Sequence, residues 1–375
     1  MWQMYPETFF ADYSRLESTL FTRTRLQELY AVVVGVGALG NEVARTLGLL
    51  GAGRVCVVDP DSVEPSNLPR STFFCRGNAI GRNKAAALAE AAAKLFPDTA
   101  WSAIGTEIAD VGFRKLHNAT LLFGCVDSDL ARLEIAYIST KLRIPVADGA
   151  LGQPNYSHGR VTFSPGTDGH ACYACMLTPR KRRELLECWQ ATLRPCVPRL
   201  PDAYSVSTPT MASIIAAMQV EIGLHSVFAA QSGVSCGCFS VELDIHPTHR
   251  ISEFKVPVSS DCPFHQSAGS LHAMPSENTT FQELLDHTAS DALLLDWPIC
   301  TQAKCVACER TWSPMQRLAV LRRKGQCPAC HSRQILEQQI IRSIGRGSAW
   351  LHHTPSTLQL PAEHLYSVQR GNTIV

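Results

Sequence analysis

The sequence predicts an α/β fold: a mostly parallel, Rossmann-like sheet flanked by helices, followed by a small C-terminal zinc-ribbon domain. Three observations carry this reading. Short apolar runs alternate with helical patterns through the first half, as they do where helices cover a parallel sheet. A glycine-rich turn, Gly35-Val36-Gly37-Ala38-Leu39-Gly40, joins a valine strand to a helix. The second half carries Cys305-Val306-Ala307-Cys308 and Cys327-Pro328-Ala329-Cys330, spaced as two metal-binding knuckles.

Taken in order, residues 31–34 read as a strand, 39–50 as a helix and 54–58 as the next strand. An irregular stretch over 60–78 precedes an alanine-rich helix, 79–96, that Pro97 closes. Strands at 119–124 and 145–148 flank a helix over 129–142. The second half differs in kind, with a basic helical segment near 180–193, an amphipathic helix over 209–227 and two strands within 239–258. From Ser267 onward Ser, Gly and Pro rise as through a linker. That divides the chain into residues 1–268 and residues 269–375, the latter holding linker, ribbon and C-terminal extension.

At 375 residues the chain can fill two domains without metal to compensate for small size. Its 34 Lys and Arg nearly cancel 33 Asp and Glu, so no strong electrostatic term favours nucleic acid or an anionic membrane. The N-terminus lacks the basic flank and apolar core of an export signal, and no run of about 20 apolar residues is evident. A soluble, cytoplasmic protein is expected. The fifteen cysteines, many in C-x-x-C pairs, then point to thiolate chemistry and zinc rather than disulfides.

In the glycine turn, Gly35 permits the bend, Gly37 lets main-chain N–H groups approach phosphate oxygens, and Gly40 lets the helix pack close to the strand. The helix N-terminus adds partial positive charge. Asp59 closes the second strand 19 positions after Gly40, where an acid can bind ribose hydroxyls. The turn and the acid alone fit a nicotinamide or flavin site as well as ATP. The next stretch of chain discriminates: Asp59-Pro60-Asp61-Ser62-Val63-Glu64-Pro65-Ser66-Asn67-Leu68-Pro69-Arg70, then Gly81-Arg82-Asn83-Lys84 at a helix start. Hydride transfer has no evident need for Asn, Arg and Lys here, whereas a triphosphate being split does, because negative charge develops on it. Arg82 reads as a solvated helix-start residue, and Asp61 as a turn residue that can bond its own backbone.

These residues resemble the D-x-D-x-V-x-x-S-N-L-x-R segment of the ThiF, MoeB and HesA group and of the ubiquitin-activating enzymes, over roughly residues 10–265. The resemblance implies that Asp59 holds the ribose, that Asn67, Arg70 and Lys84 contact the phosphates, and that Asp61 belongs to the same cofactor site. It makes Asp127, in Gly124-Cys125-Val126-Asp127-Ser128, the aspartate that works with Mg2+, and Arg15 the residue that reaches a neighbouring subunit's nucleotide in a homodimer. Where the family often has Gln after the arginine, Ser71 stands here. The implied activity is adenylation by ATP of the C-terminal glycine carboxylate of a ubiquitin-like or sulfur-carrier protein. Such a carboxylate, with a pKa of about 3.5, is already ionised near neutrality and needs no general base. The reaction needs positioning and charge neutralisation, supplied by Arg15, Arg70, Lys84, main-chain amides and Mg2+. Residues 148–150 are expected to line the channel for the carrier's tail.

Relatives pass the acyl group to a cysteine between the first C-x-x-C and the helix start at Thr208. Cys196 and Cys188 both lie there, in a basic setting of Arg180, Lys181, Arg182, Arg183 and Arg194 that favours a thiolate. Cys56, Cys75 and Cys125 read as small core residues. Cys305, Cys308, Cys327 and Cys330 suit a closed, structural Zn2+ site. Family resemblance implies a second one from Cys172, Cys175, Cys262 and His265, with Cys236 and Cys238 as competing ligands. The C-terminal extension loosely resembles bacterial ThiF-like proteins found beside ubiquitin-like and conjugating-enzyme-like partners, which implies protein docking; charge balance and the lack of an apolar run give no membrane partner. Nucleic-acid binding through Arg317, Arg322, Arg323 and Lys324 is the lesser use of the ribbon. Two further functions fit parts of the pattern: an NAD-dependent oxidoreductase and a non-catalytic, nucleotide-bound zinc scaffold.

Overall fold

The computed structural model describes residues 12–74, 79–152, 155–190, 208–234, 236–247, 249–265, 270–276, 278–361, 363–371 and 373–374, with only the main chain of Cys188, Gln190, Arg323 and Lys324. The first part runs α1 (Arg23–Glu28), β1 (Tyr30–Val34), α2 (Ala38–Leu50), β2 (Arg54–Val58), α3 (Lys84–Leu95), β3 (Ala100–Ile104), α4 (Phe113–Leu116), β4 (Leu121–Gly124), α5 (Asp129–Leu142) and β5 (Val146–Leu151). It continues with β6 (His158–Ser164), α6 (Tyr173–Met176), α7 (Pro179–Gln190), α8 (Pro209–Gln231), β7 (Phe239–Asp244) and β8 (Arg250–Lys255). Their strands form one eight-stranded sheet in the order β3-β2-β1-β4-β5-β6-β7-β8. The pairs from β3 to β5 are parallel and those from β5 to β8 antiparallel.

β1 is buried along its whole length, which is why its sequence is a continuous valine-rich run rather than an alternating one. On one face Val33, Val55, Val57 and Phe123 pack with α2, α3 and α8; on the other Val32, Val34, Cys56 and Leu122 pack with α4, α5 and α6. α2 ends at Gly51, whose left-handed φ of 68° lets its N–H reach back to the last turn.

Several sequence expectations shift. The helix expected over 79–96 starts at Lys84, because the Asn83 side chain accepts from Ala86 N and caps it there. β3 and β6 were not expected; β3 is a largely exposed edge strand without a core-facing run. α8 is, by length and composition, apolar enough to cross a membrane, which corrects the expectation of no such run; 61% of its most apolar window is buried, and it packs on α2, β4, β5 and β6.

The second part comprises β9 (Leu271–Ala273), α9 (Phe281–His287), β10 (Ala292–Cys305), β11 (Thr311–Trp312), β12 (Gln316–Arg317), α10 (Leu318–Lys324), β13 (Ile335–Gly345), β14 (Leu365–Arg370) and β15 (Thr373–Ile374). These strands form a seven-stranded sheet centred on β10, with a core that includes Phe281, Leu284, Leu293, Ile344 and Tyr366. This part is fastened to the first by buried polar groups. Arg317 donates to Asp110 (2.6 and 2.8 Å), Glu107 (3.0 Å) and Glu134 (3.3 Å). Asp296 meets Lys141, Tyr137 Oη (2.5 Å) and His364 Nε2 (2.7 Å). Burial works against the ionised Asp296, yet the Lys141 charge and the His364 hydrogen bond hold its carboxyl well below the usual carboxylate range. Of the basic residues considered for nucleic acid, Arg317 is buried among acids and Arg322 donates to Glu337 at 2.8 Å; the side chains of Arg323 and Lys324 lie outside the described residues.

Candidate active site

In open α/β sheets ligands bind beyond the carboxyl ends of the strands, and that is where the expected residues gather. Gly35 N donates to Val58 O at 2.8 Å, and the residue has a φ of +86° that only glycine adopts freely. A Cβ at Gly40 would lie 2.0 Å from Gly35 O, so the third glycine is needed for close packing. Gly37, the N-cap of α2, is different: a Cβ there meets nothing within 4 Å. That open space in front of a helix N-terminus is the cradle into which a phosphate fits. Asn41, which the sequence reading missed, fastens the turn. Its Nδ2 donates to Val36 O (2.8 Å) and Gly37 O (3.1 Å), and its Oδ1 accepts from Phe73 N (3.0 Å). An amide on the otherwise apolar face of α2 was the available signal.

The two glycines therefore make opposite predictions. Gly40→Ala is expected to destabilise the fold by about 1–3 kcal/mol or more through overpacking, read by chemical denaturation. Gly37→Ala, at an extended φ of −71° and ψ of −154°, is expected to fold as before but to bind ATP about tenfold or more weakly by calorimetry, the loss of one charge-assisted contact of about 1.5–3 kcal/mol.

Asp59 is buried, and both its oxygens accept main-chain N–H groups, Oδ2 from Val36 (2.8 Å) and Oδ1 from Asp61 (2.9 Å). Burial raises its pKa, and the two amides offset this only in part. The carboxylate thus shapes the glycine turn itself, beyond the ribose contact implied for it. Asp61 pairs with Lys84 rather than with its own backbone: its Oδ2 lies 3.1 Å from Lys84 Nζ, and the lysine side chain is only 14% exposed. Asn83 Nδ2 ties the same segment to Asp59 O at 2.9 Å.

Asn67 is buried, with its Oδ1 accepting from Glu64 N at 2.9 Å in the turn Pro65–Arg70, whose end Arg70 forms. That segment is anchored to α2 where Thr72 Oγ1 donates to Glu42 at 2.6 Å. Arg70 and Asn67 are therefore carried beside the first turn of α2. Arg15 sits on an exposed turn, Ser14–Leu16, next to Tyr13, whose ring lies against Gly51 at the far end of α2. A helix of thirteen residues is roughly 20 Å long, so Arg15 is remote from its own glycine turn.

Asp127 follows β4 and is exposed, while the preceding residues touch the glycine turn: a Cβ at Gly35 would meet Cys125 O and Val126 Cγ1. Residues 148–150, expected along the carrier channel, lie within β5. Asp148 is buried and paired with Arg132, which also donates to Gly149 O (2.9 Å) and Val126 O (2.6 Å). Behind them Gln219, fully buried on α8, donates to Gly124 O (2.9 Å) and Ala147 O (2.8 Å). Arg132 and Gln219, both missed from sequence, staple the carboxyl ends of β4 and β5. Cys56 and Cys125 are buried with thiols pushed up by that burial, as core residues should be.

The two cysteine clusters assemble as expected. Ligand atoms of Cys172, Cys175, Cys262 and His265, and of Cys305, Cys308, Cys327 and Cys330, lie within 4.8 Å of one another in each set. Tetrahedral zinc with bonds of about 2.3 Å places sulfurs about 3.8 Å apart. The separations are 3.8 Å for Cys172–Cys262 and 3.6 Å for both Cys305–Cys330 and Cys308–Cys327. Main-chain amides favour thiolates here: those of Cys330 and Ala329 draw the Cys327 thiol down to about 6. Both sets thus fit zinc, which would close each knuckle structurally. Cys236 and Cys238 belong to neither set. Cys196 lies outside the described residues; Cys188 lies in α7, with its side chain outside them.

The fold and this site define an α/β protein whose glycine turn, at the carboxyl ends of parallel strands, leaves open space at a helix N-terminus. The profile of the ThiF family matches residues 15–263, and the chain belongs to that family. Similar proteins include ubiquitin-like modifier-activating enzyme 5 of Arabidopsis thaliana, 26% identical over 168 residues, covering 40% of this chain and 38% of that protein. Molybdopterin-synthase adenylyltransferase of Escherichia coli K12 is 25% identical over 152 residues, covering 40% and 59%. Among solved structures, E. coli MccB with ATP aligns over 66% of this chain and 68% of its own, with a TM-score of 0.48 and 17% identity. The matched segment thus spans about four- to six-tenths of the two curated relatives.

Proposed function

We propose that this protein uses ATP to adenylate the C-terminal glycine carboxylate of a ubiquitin-like or sulfur-carrier protein. The observation that carries the reading is the convergence of the open Gly37 cradle, the Lys84–Asp61 pair and the exposed Asp127 beyond the ends of adjacent strands. Adenylyltransferases among its relatives support it. A carboxylate oxygen of the carrier attacks the α-phosphorus of ATP, the bond to the bridging oxygen breaks, and pyrophosphate leaves an acyl adenylate. Lys84, Arg70, Asn67 and the amides of the glycine turn hold the phosphates, Asp59 the ribose, and Asp61 holds Lys84. Asp127 would hold Mg2+, which would supply neutralising charge for the departing pyrophosphate. In a homodimer Arg15 serves the partner's nucleotide, which its distance from its own turn favours.

The acyl group then passes to the thiolate of Cys196 or Cys188, releasing AMP, and on to a conjugating-enzyme-like acceptor. Residues 1–268 form the adenylation domain and 269–375 the extension with its zinc ribbon. ATP–pyrophosphate exchange that requires a carrier ending in glycine, and that Asp127→Ala abolishes, is the expected result. No exchange with any such carrier encoded nearby would sink the reading. Mass spectrometry of the same mixtures should find a carrier adduct on one of the two cysteines.

A further inference from the structure

We propose that Tyr173 is a positioning residue for Asp127, which makes the first cysteine–histidine tetrad part of the nucleotide site as well as a structural staple. The inference rests on the adenylation reading, in which Asp127 carries Mg2+. The turn between β4 and α5 is fixed on both sides of that aspartate while the aspartate itself stays exposed. Before it, Val126 O accepts from Arg132 Nη2 at 2.6 Å. After it, Ser128 Oγ accepts from Ala131 N at 3.3 Å and starts the helix. Then Asp129 is held from outside its own helix: Oδ1 accepts from Tyr173 Oη at 2.9 Å, and Oδ2 lies 3.1 Å from Lys181 Nζ.

The two partners of Asp129 are not equal. Lys181 and the Asp129 side chain are each nearly half exposed, so water screens their attraction and it contributes little. Tyr173 is 8% exposed, and its ring is carried by the C-x-x-C turn between Cys172 and Cys175. With two side-chain torsions, a tyrosine whose main chain is fixed on both sides can place its hydroxyl in few positions. Cys172 and Cys175 are held in turn against Cys262 and His265, across about ninety residues of chain. The hydroxyl therefore transmits the geometry of the tetrad to the first turn of α5, two residues from Asp127. A phenylalanine would keep the packing and lose only that link.

Calorimetric titration of the full-length protein with Mg·ATP, without carrier, tests this. Tyr173→Phe and Asp129→Ala should each weaken binding about fivefold, the value of one hydrogen bond of about 1 kcal/mol, and the double variant no more than either alone. Exchange assays should show the KM for Mg·ATP raised and the KM for the carrier unchanged. Zinc content should stay at the unsubstituted level. Unchanged affinity in Tyr173→Phe, multiplied effects in the double variant, or loss of zinc would each overturn the clamp. An unsubstituted protein that binds no Mg·ATP would overturn the adenylation reading with it, whereas binding that Tyr173→Phe leaves intact overturns the clamp alone.

Discussion

Lys84→Ala is expected to slow carrier-dependent ATP–pyrophosphate exchange by about 10²–10³-fold, the range for removing one preorganised donor from a site of developing charge. Its stability should scarcely change. The Lys84 side chain is 14% exposed and that of its partner Asp61 63%; such a half-open pair contributes about 1 kcal/mol at most. The local backbone does not depend on the side chain either. Lys84 N donates to Asp61 O at 2.8 Å, the Asn83 side chain caps α3, and both bonds survive in the alanine variant. On the adenylation reading, an ammonium so little used for folding serves a phosphate of the nucleotide. Lys84→Arg should restore little, because a planar fork cannot replace a compact point charge at the same spot. Exchange at the unsubstituted rate in Lys84→Ala, with unaltered unfolding, would remove the lysine from the site.

The features legible in the sequence are those set by local chemistry. The glycine turn, Asp59, the individual C-x-x-C knuckles and most helices are written in short patterns whose physical cause lies within a few residues, and these stand where the pattern put them; the pairing of Cys172 and Cys175 with Cys262 and His265, ninety residues on, came from family resemblance instead. The features that escaped it depend on distant partners. Arg132 gives no local hint that it will bury itself against Asp148, sixteen residues on; Gln219 looks like any helical amide until β4 and β5 arrive beneath it. β3 went unseen because an edge strand need not carry a core-facing run. Arg317 was misread for the same reason: its charge was visible, its three acidic partners more than 180 residues away were not.

That arginine sets the largest expected stability effect. Arg317→Ala should destabilise the protein by about 3–5 kcal/mol, the cost of breaking a buried charge network by removing one side. The guanidinium side chain is 8% exposed, as is Glu134, with Glu107 at 19% and Asp110 at 41%. Asp110 can turn to water when its partner leaves, but Glu134 cannot without moving α5, so the penalty falls mainly on the helix that begins beside Asp127. Burial alone would disfavour the arginine's charge; Asp110, Glu134 and Glu107 together more than offset it. Arg317→Lys should recover only part of the loss, since one ammonium cannot follow the fork that reaches three carboxylates. Trp297 lies 5.7 Å from the guanidinium carbon and packs on Phe113 across the same seam, so its fluorescence during urea unfolding, in a background with the chain's other tryptophans replaced by phenylalanine, offers a local probe. The expected curve for Arg317→Ala has its tryptophan transition at lower urea. A shift worth less than about 1 kcal/mol, as an exposed pair would give, would mean that the seam is held by its apolar contacts and by Asp296 rather than by this arginine.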